Sequence, residues 1–171
     1  DEKVKRIRIS LYRIADDSKL TRLLTEAARK GKKVTVFVEA KARFDEANNI
    51  HWGKRFEACG AKVIYSFPKI KVHSKIFCIT REEEGENKYY GYIGTGNFNS
   101  KSSKIYCDHG LLTADQRLTR ELLRVFQVLE GKLIIPRNKH LLVSPFSTRR
   151  RFDKMIYNEI ELARQGKKAK I

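Results

Sequence analysis

The stretch VKRIRISLYRIADDSKLTRLLTEAARKGKKVTVFVEA, residues 4–40, decides the fold of this chain. Residues 4–12 alternate apolar and basic side chains, which is typical of a strand. Residues 34–40 form a β-branched run of strand length. Between them apolar residues recur at helical spacing, a polar residue at positions 16–18 can cap the helix, and Gly31 ends it. The stretch therefore predicts a strand, a helix and a second strand.

The next 27 residues, 41–67, continue this alternation. We predict a second helix at residues 46–59 and a third strand at residues 62–67. The order β-α-β-α-β favours parallel strands with helices packed on the sheet. The inward face of the second helix is predicted to carry Ile50, Trp52, Phe56 and Cys59.

The pattern changes after Pro68. Residues 76–80 and 88–94 predict two strands around a polar turn, which indicates a hairpin. Another strand is expected near 107–113 and a helix at 115–130. The predicted fold class is α/β, with a mainly parallel or mixed sheet and helices on its faces.

The end of the chain looks different from the rest. Pro136 interrupts an apolar stretch, so residues 132–140 are predicted to be a connection. Beyond it we expect a short strand, LLVSP, followed by a helix capped by Ser147. We therefore assign residues 1–140 to a first domain and residues 141–171 to the start of the next. The chain opens directly with charge and strand and shows no signal pattern, so we expect it to be cut from a longer protein.

The chain is strongly basic. It has 37 Lys and Arg against 20 Asp and Glu, a formal net charge of +17. Such an excess favours a polyanionic partner, whether nucleic acid, a phosphate-rich small molecule, inorganic polyphosphate or an anionic membrane. No apolar run approaches the length of a membrane span. The three cysteines are widely spaced and form no zinc-ligand pattern, which argues against a zinc site. They favour a protein of the reducing cytoplasm.

Two short motifs carry the candidate chemistry. His73 and Lys75 stand two apart at the head of a predicted strand, so their side chains project from the same face. An imidazole can attack phosphorus, and a neighbouring ammonium can hold the phosphoryl oxygens. Residues 94–97, Gly-Thr-Gly-Asn, add close backbone approach and the amide of Asn97. The alternative is an ordinary strand-end histidine beside a solvated lysine, because two-residue spacings arise freely by chance.

His-x-Lys followed by Gly-Thr-Gly-Asn on the next strand resembles one half of the paired site of the phospholipase D superfamily. Where that motif usually has aspartate, this chain has Thr80, which looks like the polyphosphate kinase branch. Several longer segments resemble polyphosphate kinases in the same order along the chain: LYRIADDS, GKKVTVFVEAKARFDEANNIHW, KVHSKIF, YIGTGNFN, SSKIYCDHGLLTAD and LLVSPFSTRR.

This resemblance implies roles for individual residues. His73 would be the phosphorylated nucleophile, with Lys75 and Asn97 beside it. Arg13 and Arg43 would be the residues linked to phosphate and Mg²⁺, and because a guanidinium suits phosphate oxygens we expect contact through phosphate.

Two further residues are candidates, the first from the same resemblance and the second from its position next to the first. Tyr106 matches a nucleotide-contacting position. Asp108, two residues further on, is a candidate to bind substrate, hold a catalytic group or bind Mg²⁺, with a structural salt bridge as the alternative.

The resemblance implies a phosphotransferase that moves the terminal phosphate of ATP reversibly to inorganic polyphosphate. The expected partners are ATP or ADP and polyphosphate, with no nucleic acid. A homo-oligomer is possible for the full-length protein, which is expected in the cytoplasm and could associate with a membrane. Two alternatives stay open: a phospholipase D-type phosphodiesterase or nuclease, and a polyanion-binding module without catalysis. Because the superfamily site draws on two halves and this chain has one His-x-Lys, we expect the 171 residues alone to be inactive or nearly so.

Overall fold

The computed structural model of the chain describes residues 1–15, 18–67 and 71–171. These residues form a six-stranded sheet with helices on both faces. The strands are β1 (Val4–Leu11), β2 (Lys33–Val38), β3 (Lys62–Tyr65), β4 (Lys75–Glu83), β5 (Glu86–Gly94) and β6 (Gly110–Thr113). The α-helices are α1 (Lys19–Arg29), α2 (Glu46–Ala58), α3 (Gln116–Leu129) and α4 (Thr148–Arg164), and a short 3₁₀ helix spans Ser102–Lys104.

The strands lie in the order β3-β2-β1-β4-β5-β6. The first three strands run parallel, because α1 and α2 carry the chain back between them. β4 then pairs antiparallel with β1, and β5 and β6 add two more antiparallel partners. The predicted α/β class with a mixed sheet is confirmed. The centre of the sheet, between β1 and β4, is where the parallel half meets the antiparallel half.

Each face of the sheet carries its own apolar cluster. On one face α1 and α2 cover β1 and β2, with Trp52 and Phe56 buried among the valines of β2. On the other face α3 packs Leu122 and Phe126 against β2 and β4. Alternation along β1 explains the division, since Ile7, Ile9 and Leu11 point to the first face and Arg6 and Arg8 to the second.

The caps and faces of the helices differ in part from the sequence predictions. Ser18 caps α1, and its hydroxyl accepts from Leu20 N at 3.1 Å. The two other proposed caps, Asp16 and Asp17, lie outside the described residues. In α2, Ile50 is exposed and Asn49 is buried in its place. Helical periodicity predicted that Ile50 would face inward. Asn49 takes that position because its side-chain amide hydrogen-bonds to the backbone of Ile14, Tyr12 and Glu39.

The segment after α3 is held by a buried acid. Glu121 accepts hydrogen bonds from the backbone N–H groups of Lys139, His140 and Leu141 at 2.8–2.9 Å. The predicted strand LLVSP is wrong: residues 141–145 form no ladder. α4 follows with no buried residue, although it presents apolar side chains such as Phe152 and Met155. Among the described helices none is both long and apolar enough to cross a bilayer.

Candidate active site

Four chain segments meet where the parallel strands end and β4 begins. Tyr12 and Arg13 follow β1, and Arg43 lies in the loop after β2. His73 stands two residues before β4, the antiparallel neighbour of β1, so it arrives at the same edge. Carboxyl ends of parallel strands are the usual location of ligand sites in α/β folds. The segment 94–97 joins them because Gly94 pairs with Lys75 in the β4–β5 ladder.

Lys75 is a buried cation at this edge, with 4% of its surface exposed. Its ammonium donates to the carbonyl oxygen of His73 at 2.6 Å and lies 5.1 Å from the centre of the Tyr12 ring. Burial lowers the pKa of Lys75 to about 8; the negative charge of Asp108 opposes this shift and the positive charge of Arg13 adds to it. The ammonium is thus fixed beside His73, in surroundings that leave its charge only partly solvated.

His73 is exposed, and its ring meets the Tyr12 ring edge-on with centroids 4.3 Å apart. Partial burial lowers the pKa of the imidazole, and the nearby charges of Lys75, Lys71 and Arg13 lower it further. A lowered pKa keeps the ring neutral at pH 7, the form in which imidazole is a nucleophile. Cations gathered around a neutral imidazole suit an incoming polyphosphate anion.

The Arg13 side chain contacts the backbone of Arg43. Arg13 donates through Nη2 to the carbonyl oxygen of Arg43 at 3.4 Å, and its Nε lies 3.4 Å from Oδ2 of Asp45. Asp45 stands at the N-cap position of α2 but makes no side-chain capping bond there. The Asp45 carboxylate thus lies against Arg13. Arg43 itself is exposed, with its guanidinium 4.9 Å from the ring centre of Phe44.

The turn after β5 is shaped by Asp108. Its Oδ1 accepts from the Thr95 hydroxyl at 2.9 Å, and a Cβ added to Gly96 would collide with its carboxylate. Glycine at position 96 is therefore required for the close approach that the motif predicted. The amide oxygen of Asn97 is buried and has no hydrogen-bond partner among the described residues. Such a group costs about 1–3 kcal/mol unless a ligand or water supplies a donor.

Tyr106 is the predicted site residue that the fold leaves apart. It lies just beyond the 3₁₀ helix with 68% of its surface exposed, and within the described residues its ring makes no aromatic contact or hydrogen bond. An exposed ring of this kind is available for stacking. The other predicted residues are brought to one edge of the sheet: His73, Lys75, Arg13, Arg43, Asn97 and Asp108.

Two buried residues that sequence reasoning missed connect these segments. Glu39 is 1% exposed and accepts from Val72 N at 2.7 Å and from Lys41 N at 2.9 Å. Asn49 accepts from Ile14 N and donates to the carbonyl oxygens of Tyr12 and Glu39. Two sequence features could have indicated them: Glu39 is an acid at the end of an apolar strand, and Asn49 is an amide on the inward face of a helix.

The site offers few carboxylates to a metal ion. In the described parts of the chain, no three His, Cys, Asp or Glu residues are grouped as a metal site. Asp45 is paired with Arg13, and Asp108 with Thr95. Mg²⁺ commonly keeps several waters and binds through one or two carboxylates plus substrate phosphates. Within the described residues the side chains therefore form no all-protein cage for Mg²⁺, and they would fit the ion together with bound phosphate.

Comparison with known proteins agrees with this geometry. Residues 1–134 match the family described as Polyphosphate kinase C-terminal domain 1. The chain is 48% identical to the polyphosphate kinase of Escherichia coli K12 over 97% of its length, and 46% identical to that of Yersinia pestis over its full length. This chain belongs to the polyphosphate kinase family. It spans about a quarter of the length of these relatives, 24% and 25%.

Two solved structures share the fold. The crystal structure of polyphosphate kinase from Porphyromonas gingivalis superposes with a TM-score of 0.84 at 37% identity, covering 97% of this chain and 28% of that one. NucT from Helicobacter pylori superposes with a TM-score of 0.54 at 12% identity, covering 74% and 79% of the two chains. At that identity the second match speaks for the fold alone. The predicted α/β fold, with a mixed sheet and helices on its faces, is confirmed.

Proposed function

We propose that the chain is part of a polyphosphate kinase that moves the terminal phosphate of ATP to inorganic polyphosphate, and back, through His73. The observation that carries the proposal is an exposed imidazole, whose pKa is lowered, beside a buried ammonium and near the charge of Arg13. Phosphoryl transfer needs mainly positioning and stabilisation of spread negative charge, which these groups supply.

In the first step, a ring nitrogen of His73 attacks the terminal phosphorus of ATP. A nitrogen–phosphorus bond forms, the bond from that phosphorus to the bridging oxygen breaks, and ADP leaves with the electron pair. Lys75 is held by its bond to the His73 carbonyl, so its ammonium stays in place while negative charge builds on the phosphoryl oxygens. Arg13, whose guanidinium reaches the backbone of Arg43, and the exposed side chain of Arg43 would contact the phosphates that remain on the nucleotide.

In the second step, a terminal oxygen of polyphosphate attacks the phosphoryl group on His73. The nitrogen–phosphorus bond breaks, the polymer grows by one unit and His73 is neutral again. The reverse sequence makes ATP from ADP. Asn97 lies on the turn that follows Gly94, the ladder partner of Lys75, and its side-chain NH2 group would donate to phosphate oxygens of the bound substrate. Asp108 holds that turn through the Thr95 hydroxyl.

A bound Mg²⁺ would supply neutralisation of part of the charge on the nucleotide phosphates. Asp108 would be the carboxylate to hold it, because Asp45 is paired with Arg13 while Asp108, among the described residues, accepts only from the uncharged Thr95 hydroxyl. Tyr106 would stack on the nucleotide base, as its exposed ring allows. We infer a cytoplasmic protein from its three free cysteines, one of which, Cys107, is exposed.

The test is a labelling experiment on the full-length protein with ATP that carries a labelled terminal phosphate. The wild type is expected to form an acid-labile phosphoenzyme, and His73→Gln is expected to form none. His51→Gln is the matched control, since His51 is an exposed histidine on α2 away from the site. Acid-labile label that persists in His73→Gln contradicts the proposal.

A cleavage assay without ATP and a measurement of polyphosphate binding separate the two rival functions. A phosphodiesterase or nuclease would cleave nucleic acid or lipid without ATP. A polyanion-binding module would bind polyphosphate equally well after His73→Ala and would never carry label.

A further inference from the structure

A basic groove lies at the far end of the sheet from His73. Its floor is a row of four side chains on the α3 face, one from each of four neighbouring strands. The ladder registers place Lys33 beside Arg6, Arg6 beside Thr80, and Thr80 beside Tyr89. Gln127 and Leu123 of α3 form one wall, and the α1–β2 turn closes the other side. The cavity measures about 740 Å³.

The groove is rich in cations and poor in acids. Six basic residues line it, against a single acid, Glu2: Lys5, Arg6, Arg8, Lys30, Lys32 and Lys33. Lys5, Lys30 and Arg8 pair with Glu82, Glu26 and Glu130. The other three have no acidic partner within the described residues.

Arg6 and Lys33 show where an anion would bind. They are register partners on adjacent parallel strands, so two like charges stand side by side, an arrangement that costs stability. Within the described parts of the chain neither side chain has an ion-pair or hydrogen-bond partner. The hydroxyls of Thr80 and Tyr89, further along the same row, also make no hydrogen bond there. The row therefore offers two cations and two hydroxyl donors to one extended acceptor.

The groove is distinct from the site at His73. Lys75 and Thr80 are five residues apart on β4, which separates them by roughly 17 Å at the rise of a strand. The row itself crosses four strands, about 14 Å at the usual spacing. That span matches several linked phosphates better than a single phosphate ion.

We propose that this groove is a second binding site for linear polyphosphate, which holds part of the chain while His73 acts elsewhere. The proposal rests on the proposed function for the identity of the polymer. The recognition chemistry comes from the groove: phosphate oxygens between the Arg6 guanidinium and the Lys33 ammonium, with Thr80 and Tyr89 donating to the next oxygens.

The experiment is a titration of the ¹⁵N-labelled chain with linear inorganic tripolyphosphate at about 0.15 M salt, where exposed charges are screened. We expect saturable shifts of the amides of the floor row. Arg6→Gln/Lys33→Gln should weaken this binding about tenfold or more, because two charge-assisted contacts are lost. The matched control is Lys54→Gln/Arg150→Gln, which removes the same charges at exposed positions outside the groove. Thr80→Asp, which places a carboxylate beside Arg6, should weaken binding as well.

Three results would overturn the proposal: shifts scattered over the surface, equal weakening by both double variants, or equal binding of a short single-stranded DNA of similar charge. His73→Ala/Arg13→Gln should leave the groove shifts unchanged. If the full-length protein forms no phosphohistidine but the titration gives these amide shifts, the proposed function is wrong and the groove proposal stands. If phosphohistidine forms but the amide shifts are absent, the groove proposal is wrong and the proposed function stands.

Discussion

At the scale of the residue, Lys75 gives the site its own pH dependence. With a pKa of about 8, it loses its charge in a range where an ordinary lysine is fully charged. In the free protein the folded state binds fewer protons than the unfolded state between pH 8 and 10.5, so the free energy of unfolding rises with pH across that window. A bound phosphate reverses the preference, because it favours the ammonium.

We therefore expect proton uptake when a non-hydrolysable Mg-ATP analogue binds the full-length protein near pH 8.5. Calorimetry in two buffers of different ionisation enthalpy measures this uptake. Lys75→Arg is the control, since guanidinium stays charged at every pH used. Equal uptake by the wild type and Lys75→Arg would show that Lys75 is not the group that titrates.

Glu39 acts through the backbone of its neighbours. Its carboxylate holds the N–H groups of Val72 and Lys41, and so fixes the segment before His73 against the loop that leads to Arg43. A glutamine at position 39 has one oxygen instead of two, and one buried N–H is left without its acceptor. We expect Glu39→Gln to lower the free energy of unfolding by about 1–3 kcal/mol.

Urea denaturation measures that loss, and the ring signals of His73 in NMR report whether its surroundings change with it. Glu82→Gln is the comparison, because Glu82 forms an exposed pair with Lys5 and such pairs contribute about 0–1 kcal/mol. Unchanged stability and unchanged His73 signals in Glu39→Gln would contradict the claim that Glu39 positions the segment before His73.

At the scale of the element, α2 sits close to β3 because it has no side chain at Gly53. A Cβ there would meet the ring of Tyr65, with Cε1 at 2.8 Å. Glycine inside a helix normally costs about 0.5–1 kcal/mol relative to alanine. Here we expect the opposite sign, with Gly53→Ala destabilising by about 1–3 kcal/mol through overpacking.

A double-mutant cycle with Tyr65→Ala checks this sign by chemical denaturation. Once the ring is removed, Gly53→Ala should stabilise the chain, as in an exposed helix. A gain in stability from Gly53→Ala with Tyr65 still present would contradict the close approach.

Elements were predicted well where periodicity alone decides them. Strands β1 to β6 and helices α1 to α4 lie within a few residues of the predicted ranges, because alternation and helical spacing read burial directly. The failures have a physical cause. Asn49 and Glu39 are buried by hydrogen bonds to distant backbone, and the apolar segment LLVSP forms no strand because no neighbouring strand pairs with it.

The motif likewise predicted part of the site. His73 and Lys75 could be found from their spacing, because two residues along a strand share a face. The pairing of Arg13 with Asp45 could not be found, since it joins two loops whose relative position depends on the whole sheet.

At the scale of the whole molecule, the chain has one His-x-Lys and an excess charge of +17. We expect the isolated 171 residues to produce no ADP from Mg-ATP and polyphosphate above the level of His73→Ala, while still binding polyphosphate with an affinity that falls as salt rises. A coupled assay for ADP and a salt series of binding curves measure both. Turnover well above His73→Ala would contradict the expectation.

Glu121 gives the tail a dependence on acid. Burial alone would raise the pKa of Glu121, but the hydrogen bonds from Leu141, Lys139 and His140 lower it to about 2. The carboxylate stabilises the fold above its unfolded value of about 4.5 and ceases to do so as pH falls towards 2. The hydrogen bonds from residues 139–141 to the Glu121 carboxylate are therefore present at neutral pH and lost in strong acid. Limited proteolysis with an acid protease should then cut between α3 and α4 at pH 2, and Glu121→Gln should make a cut in the same segment possible at pH 7.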